Sequence, residues 1–496
     1  MSDYKTLKEA WVSEQTGSSI THVNAISSVA LASIALFSVI HTRLYDGRAG
    51  PAFIPSFALL VLPLLFSMTL FALRPLLLTG LLLVPAALVL ARTPRPGTTL
   101  PASQGALKPL PALTTYRAHM MLMTILGILA VDFPVFPRSL AKCEKYGVSV
   151  MDLGVGSFVF SNGLVSALPL LKDPAHLNAP LLPKLLAVVK RTAPVIALGV
   201  VRVVLVKGTE YPEHETEYGT HWNFFITLAL LPILQVLMHP LLKVVPAVDS
   251  GAGIQQLALS PLGLDLKGYV KTAPRLGLIS ANREGIVSLG GYLAIHLLGL
   301  FTGTLVLPPT PAFFRRMRDA HKKRDDGNRN ELGAPRQNDK TAIELASYAM
   351  VWWAVLGVIS MPGLRVDEGV SRQTANLPYA LWITGFNTSF ILGYLVLDMI
   401  FFPGPMRKKR QSGGYNDREY GKEKEMRRAP ELLEAVNLNA LPLFLLANLL
   451  TGLVNLSMQS MYASDAKAMG VLALYAVVVC GVAWGVRGRR VKLWFL

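Results

Sequence analysis

The chain has 496 residues, a formal net charge of +17 and 52% hydrophobic residues. Its mean hydropathy of +0.43 argues against an ordinary soluble domain. The basic residues lie in loops between long apolar runs, so the charge indicates membrane topology, and we expect no nucleic-acid partner.

Apolar runs near 20 residues recur from end to end, which is the length that a helix needs to cross a membrane. Backbone groups in lipid must be satisfied within the segment, and the runs lack the period-2 alternation of barrel strands. We therefore predict an all-α, polytopic transmembrane helical bundle with about thirteen spans. The predicted spans are roughly 22–42, 51–72, 75–92, 116–133, 150–170, 188–206, 221–240, 244–262, 285–307, 342–363, 377–402, 434–457 and 468–487.

The eighth predicted span is the weakest, because Asp249 and several small residues interrupt it. Lys and Arg concentrate in the odd-numbered loops and the C-terminal tail, which predicts a lumenal N-terminus and a cytosolic C-terminus. Two basic loops, 308–341 and 403–430, dominate this count, and we interpret them as solvated cytosolic linkers.

The junction after the fourth span combines charges with helix breakers. Asp132 precedes Pro134 and Pro137, which end the helix, and Lys142 lies ten residues further on with Arg138 between them. A carboxylate here can act as a general base, and a lysine can stabilise an oxyanion or hold a phosphate. An ion pair that anchors the loop is the alternative.

The fifth span opens with LGVGSFVFSNG, which is neither a P-loop nor a nucleophile elbow. Its small residues allow either close helix packing or a slot for an acyl chain. The candidate slot residues are Gly154, Gly156, Ser157, Phe158 and Phe160.

Three further polar junctions are predicted on the lumenal side, at 210–225, 275–296 and 367–382. They supply amide, imidazole and guanidinium groups, and Arg283 and Arg372 could hold a phosphate through paired N–H donors. His214 and His221 lack the spacing of a zinc helix, and we predict no metal site. The candidate substrate-binding residues are Arg138, His221, Asn223, Asn282, Arg283, His296, Arg372 and Asn376.

The four junctions could line one lumenal cavity that suits a phosphate-bearing amphiphile. An enzyme that acts on a lipid and a transporter or flippase of an organic anion both fit this description. A non-catalytic subunit of a membrane complex is a third possibility.

The segment AVDFPVFPRSLAKCEKYGVSVMDLGVGSFVF resembles the signature of the PIG-W family. The likeness covers nearly the whole chain, so we treat 1–496 as one membrane-embedded domain. Departures from the family pattern are Ser139-Leu140 in place of Arg-Phe and Cys143 in place of Thr. The other matching motifs are KEAWVSEQTG at Lys8, EYGTHWNFF at Glu217, LISANREGI at Leu278, SRQTANLPY at Ser371 and LLANLLTGLVNLSMQS at Leu445.

The resemblance implies a fungal, multi-pass acyltransferase of the endoplasmic reticulum. Such an enzyme moves a palmitoyl group from acyl-CoA to the inositol 2-hydroxyl of glucosaminyl-phosphatidylinositol during GPI-anchor biosynthesis. The family's essential acid and lysine fall on Asp132 and Lys142. Acyl-CoA is then a co-substrate and no cofactor is needed. The lipid acceptor, membrane lipids and the isoxazolyl-aminopyridine antifungals are the expected partners.

Overall fold

The computed structural model describes residues 2–44, 52–93, 110–207, 215–242, 255–256, 258–260, 263–314, 336–402 and 429–491. These residues form helices joined by short loops, with no strand among them beyond isolated bridges at Gly17 and Ser18. The all-α prediction is confirmed.

The N-terminal half contains α1 (Ser2–Val12), α2 (Ile20–Leu44), α3 (Phe53–Leu60), α4 (Leu62–Met68), α5 (Pro75–Arg92), α6 (Pro111–Ala130), α7 (Val150–Val165), α8 (Leu168–Lys172), α9 (Leu181–Lys207), α10 (Glu215–Tyr218) and α11 (Phe224–Leu242). The C-terminal half contains α12 (Leu266–Thr272), α13 (Leu278–Ala281), α14 (Arg283–Val306), α15 (Asn338–Ile359), α16 (Leu377–Phe401), α17 (Glu431–Leu438), α18 (Ala440–Ser457) and α19 (Asp465–Gly485).

Nine helical segments within the described residues are long and apolar enough to cross a membrane: α2, α5, α6, α7 with α8, α14, α15, α16, α18 and α19. The segments Phe53–Met68 and Phe224–Pro240 are apolar but shorter. The chain therefore has the architecture of a multi-pass membrane protein.

The eighth predicted span and the basic loops 308–341 and 403–430 lie largely outside the described residues. The count of about thirteen spans and the sidedness of the two termini stay predictions.

Helix ends follow the local chemistry of the sequence. α6 ends at Ala130, just before the two prolines that cannot continue it. α7 starts after Ser149, whose hydroxyl accepts a hydrogen bond from the Asp152 amide. Asn376 caps α16 in the same way, accepting from the Tyr379 amide.

The segment after α1 is fastened to the loop between α6 and α7. The Ser18 amide donates to the Val148 carbonyl over 2.7 Å, and the Glu144 amide donates to the Gln15 carbonyl over 3.1 Å. Gly17 has φ +79°, and a side chain there would meet the backbone of Val148. The N-terminus is thus held against the loop that carries Asp132 and Lys142.

α7 packs against α14 through glycines, which allow the two backbones to approach closely. A methyl group added at Gly163 would overlap the His296 carbonyl, and one at Gly299 would overlap the Phe160 carbonyl. Gly303 faces the Leu164 carbonyl in the same way. This contact fixes the position of α7, whose opposite face lines the main cavity.

Replacing Gly163 with alanine should destabilise the protein, because the added methyl would force α7 and α14 apart at a close backbone contact. We expect a loss of about 1–3 kcal/mol in the free energy of unfolding. Thermal unfolding of the purified protein in detergent measures it. The control is Gly470→Ala on α19, where a methyl meets open space and no loss is expected. Equal stability of the two variants would contradict the close contact.

Candidate active site

A cavity of about 1920 Å³ opens within the bundle. Its walls come from α6, α7, α9, α11 and α18, and one end is lined by the loops that precede or follow these helices. That end is polar and contains Lys8, Asp132, Lys142, Glu144, Glu217 and Arg372. The cavity therefore collects charged groups from segments that are distant in sequence.

Asp132 lies at the polar end of the cavity and is buried. Its Oδ1 lies 3.0 Å from Lys8 Nζ, and its Oδ2 accepts a hydrogen bond from Asn455 Nδ2 over 2.8 Å. Lys8 also donates to Asn455 Oδ1 over 3.1 Å, which closes a triangle of three side chains. The carboxylate is thus held by α1 and α18.

Lys142 pairs with a different carboxylate. Its Nζ lies 2.7 Å from Glu217 Oε1, and the lysine side chain is 38% exposed. Glu217 also faces Arg372, with Nη1 at 3.2 Å. Lys142 is therefore positioned by the α10 segment while part of its ammonium remains accessible.

Arg372 joins this network to the start of α7. Its Nε lies 2.6 Å from Asp152 Oδ1, and the two side chains are 3% and 0% exposed. Burial by itself lowers the pKa of a guanidinium, but Glu217 and Asp152 hold the pKa of Arg372 well above its usual value. The arginine remains charged, which is what the buried Asp152 and the half-buried Glu217 require.

The second carboxylate oxygen of Asp152 accepts hydrogen bonds from donors in the preceding loop. Its Oδ2 accepts from the Cys143 amide over 3.0 Å and from the Ser149 hydroxyl over 2.8 Å. Burial, followed by the nearby Asp152 charge, raises the pKa of the Cys143 thiol well above its usual value. The thiol stays protonated, and a protonated thiol is a poor nucleophile.

One face of α7 lines the cavity and the other packs in the bundle. Gly154, Ser157 and Phe158 lie on the cavity face. Gly156 faces Ile383 and Tyr379 of α16, and Phe160 is fully buried among core side chains. Gly156 and Phe160 are thus corrected to packing positions, since residues two apart on a helix, such as Gly154 and Gly156 or Phe158 and Phe160, point to opposite sides.

The cavity wall beyond the polar end is apolar and aromatic. Phe158 packs against Phe224 and Phe444, with ring centroids 6.4 and 6.2 Å apart. Phe225 packs edge-on against Phe444 at 5.8 Å. Three helices therefore supply an aromatic lining, which suits a long hydrocarbon chain.

One of the other candidate binding residues, Asn223, borders this region. Asn223 lines the cavity, but its side chain donates to the Gly199 carbonyl and accepts from the Phe225 amide. The His221 amide donates to Asn282 Oδ1 over 2.8 Å. His221 and Asn282 do not line the cavity, and their contact joins the start of α11 to the start of α14.

The remaining candidates make contacts inside the protein and do not line the cavity. Arg138 donates to the carbonyls of Val131, Phe133 and Phe136, and it stacks on Trp11 at 3.8 Å. Arg283 lies 3.3 Å from Glu284. His296 Nε2 lies 2.7 Å from Gln235 Oε1, and Asn376 caps α16. Their predicted binding roles have no support from the cavity geometry.

Sequence reasoning missed the partners of the two central residues. Lys8 and Asn455 contact Asp132, and Glu217 contacts Lys142. All three lie inside motifs that carry the family resemblance, KEAWVSEQTG, LLANLLTGLVNLSMQS and EYGTHWNFF. The motifs indicated that these segments matter to the family, but they did not indicate which residue each one contacts.

Within the described residues, no group of three or more His, Cys, Asp or Glu side chains could hold a metal ion. Glu213 and His214, part of the acidic stretch before α11, lie outside the described residues. The predicted lack of a metal stays a prediction.

The GWT1 family model matches residues 4–486, nearly the whole chain. The chain belongs to the GWT1 family. The family resemblance inferred from the sequence motifs is therefore confirmed.

Relatives from several fungi cover the chain over its whole length. A protein of Aspergillus fumigatus is 39% identical over 99% of both chains, and one of Saccharomyces cerevisiae is 35% identical over 99% of both. A protein of Cryptococcus neoformans var. grubii is 34% identical over 99% of this chain and 100% of its own. Each of these relatives is named GPI-anchored wall transfer protein 1.

Replacing Arg372 with methionine should destabilise the protein strongly, because Asp152 would remain buried without its cation. We expect a loss of about 3–5 kcal/mol, measured by thermal unfolding in detergent. Arg365→Met is the control, since Arg365 is exposed and should cost far less. Similar losses in both variants would show that the Arg372–Asp152 pair is not a stabilising contact.

Proposed function

We propose that this GWT1 family member is an acyl-CoA dependent O-acyltransferase of the endoplasmic reticulum membrane. It transfers a palmitoyl group to the inositol 2-hydroxyl of glucosaminyl-phosphatidylinositol, a step in GPI-anchor biosynthesis. The family membership supports this function, as do the wall-transfer name of the relatives and the chemistry of the cavity.

One observation carries the proposal. Asp132 and Lys142 line the same cavity, yet each is paired with a different partner, Lys8 and Glu217. The two residues do not form an ion pair with each other, although each is held in an ion pair of its own. A carboxylate and an ammonium that face one cavity can act together on a substrate held between them.

The carboxylate of Asp132 is proposed as the general base. Its two oxygens offer about four lone-pair sites, of which the structure uses one for Lys8 and one for Asn455. The inositol hydroxyl can therefore donate to a remaining site. As the hydroxyl oxygen attacks the thioester carbonyl, its proton passes to Asp132.

Lys142 is proposed to stabilise the oxyanion that forms on the thioester carbonyl. An ammonium has three N–H donors, and the structure assigns one of them to Glu217. The remaining donors can meet the developing negative charge. The C–S bond then breaks, the thiolate of CoA leaves, and the proton held by Asp132 completes the thiol.

The shape of the cavity suits an acyl thioester. Gly154, Ser157 and Phe158 border its aromatic wall, where a palmitoyl chain could lie. Lys172, Arg191 and Arg490 line the cavity as well, so phosphates of the donor would meet cations there. The isoxazolyl-aminopyridine antifungals are expected to compete for the aromatic wall.

Replacing Asp132 with asparagine or Lys142 with alanine should each lower acyl transfer by about 10²-fold or more, because the base or the oxyanion donor is lost. The assay is palmitoyl transfer to glucosaminyl-phosphatidylinositol by purified protein. The control is Lys145→Ala, whose exposed side chain lies in the same loop and should leave the rate unchanged. Near wild-type activity of either variant excludes that residue from the chemistry.

The protonated thiol of Cys143 and the good leaving group of the donor favour direct transfer. Cys143→Ser should therefore keep most of the transfer rate, and rapid quenching with radiolabelled palmitoyl-CoA should leave no label on the protein. Label on the protein that turns over into product would overturn direct transfer.

A transporter or flippase is the second candidate, and it would release no free CoA when donor and acceptor are mixed.

A further inference from the structure

The triangle of side chains around Asp132 includes one cation from the N-terminal helix α1. Lys8 and Asp132 are 3.0 Å apart, and their side chains are 7% and 5% exposed. Both residues nevertheless line the cavity, so this pair is shielded from bulk water but open to a substrate. A pair that served only to fasten α1 would not need to face the cavity.

The other cations near Asp132 bind other groups in the protein. Arg138 acts on Asp132 electrostatically, but its guanidinium donates to three backbone carbonyls and stacks on Trp11. Lys142 pairs with Glu217, and Asn455 is neutral. Burial lowers the pKa of Arg138 to about 10, so it stays charged and fixed in the loop. Lys8 is therefore the one described cation that directly contacts the carboxylate.

A buried carboxylate without a nearby cation takes up a proton more readily, and a protonated carboxyl group cannot act as a base. The contact with Asn455 orients the carboxylate but adds no positive charge. We infer that Lys8 is the positioning residue of Asp132, delivered by α1, and that it keeps the carboxylate ionised and aimed into the cavity.

This assignment makes α1 part of the active site. The helix is held in place by Trp11 on Arg138 and by the backbone bonds of Gln15 and Ser18 to the α6–α7 loop. The inference deepens the proposed function and rests on it. It also separates the two lysines, since Lys8 serves the base and Lys142 serves the oxyanion.

The test compares Lys8→Met with Lys8→Arg in the full chain. Methionine removes the charge, so kcat at neutral pH should fall on the order of 10²-fold while the KM for palmitoyl-CoA stays unchanged. The acid limb of the pH–rate profile should move to higher pH, because more alkaline conditions are then needed to ionise the carboxylate. Lys8→Arg should restore most of the rate, and Lys467→Met, an exposed lysine at the start of α19, should match the wild type.

A Lys8→Met variant with the wild-type rate and profile would overturn the inference. So would a loss of rate that is equal at every pH and is shared by Lys8→Arg, since that pattern indicates a purely structural role. Retained stabilisation of each variant by palmitoyl-CoA in thermal unfolding shows that the cavity is still formed.

Chemical rescue keeps the test decisive if the methionine variant folds poorly. Lys8→Ala leaves a space that faces the cavity, and added ethylamine should raise its rate in a saturable way. The amine should have no effect on Lys467→Ala, and absence of rescue in a Lys8→Ala protein that still binds palmitoyl-CoA overturns the inference. A wild type that makes no acylated product refutes the proposed function itself, whereas an active wild type that does not depend on Lys8 refutes only this inference.

Discussion

Carboxylates buried at the end of an apolar bundle must be paired with cations, and this requirement organises the protein. Asp152 is held by Arg372, and Asp132 is held by Lys8. Each pair joins segments that are far apart in the chain, and each closes the same end of the bundle. Without the pairs, the cost of removing these charges from water would oppose folding at that end.

The distribution of partners also decides what the cavity can do. Arg372 is shared between Asp152 and Glu217, and Glu217 in turn holds Lys142. These linked ion pairs hold Lys142 beside the cavity, and Lys142 does not pair with Asp132. The Asp132 carboxylate and the Lys142 ammonium can each contact a substrate, because each is paired with a different residue and not with the other.

Close helix packing positions the apolar part of the same cavity. Glycines on both sides of the α7–α14 contact bring the two backbones together, and they leave the opposite face of α7 toward the cavity. Small residues on α7 therefore have two different roles. Gly163 allows a backbone approach, and Gly154 and Ser157 border the space where a chain could lie.

The helical class, the membrane character and the helix break before Pro134 could be predicted from the amino-acid sequence, because hydropathy and proline geometry act locally. The sequence motifs indicated the family. It also placed Asp132 and Lys142 in one loop. Their partners are set by the folding of distant segments, since Asn455 lies 323 residues from Asp132 and no local pattern links the two. The same holds for the faces of α7. Which residue meets the cavity and which meets a neighbouring helix depends on how helices pack, and packing is a property of the whole bundle.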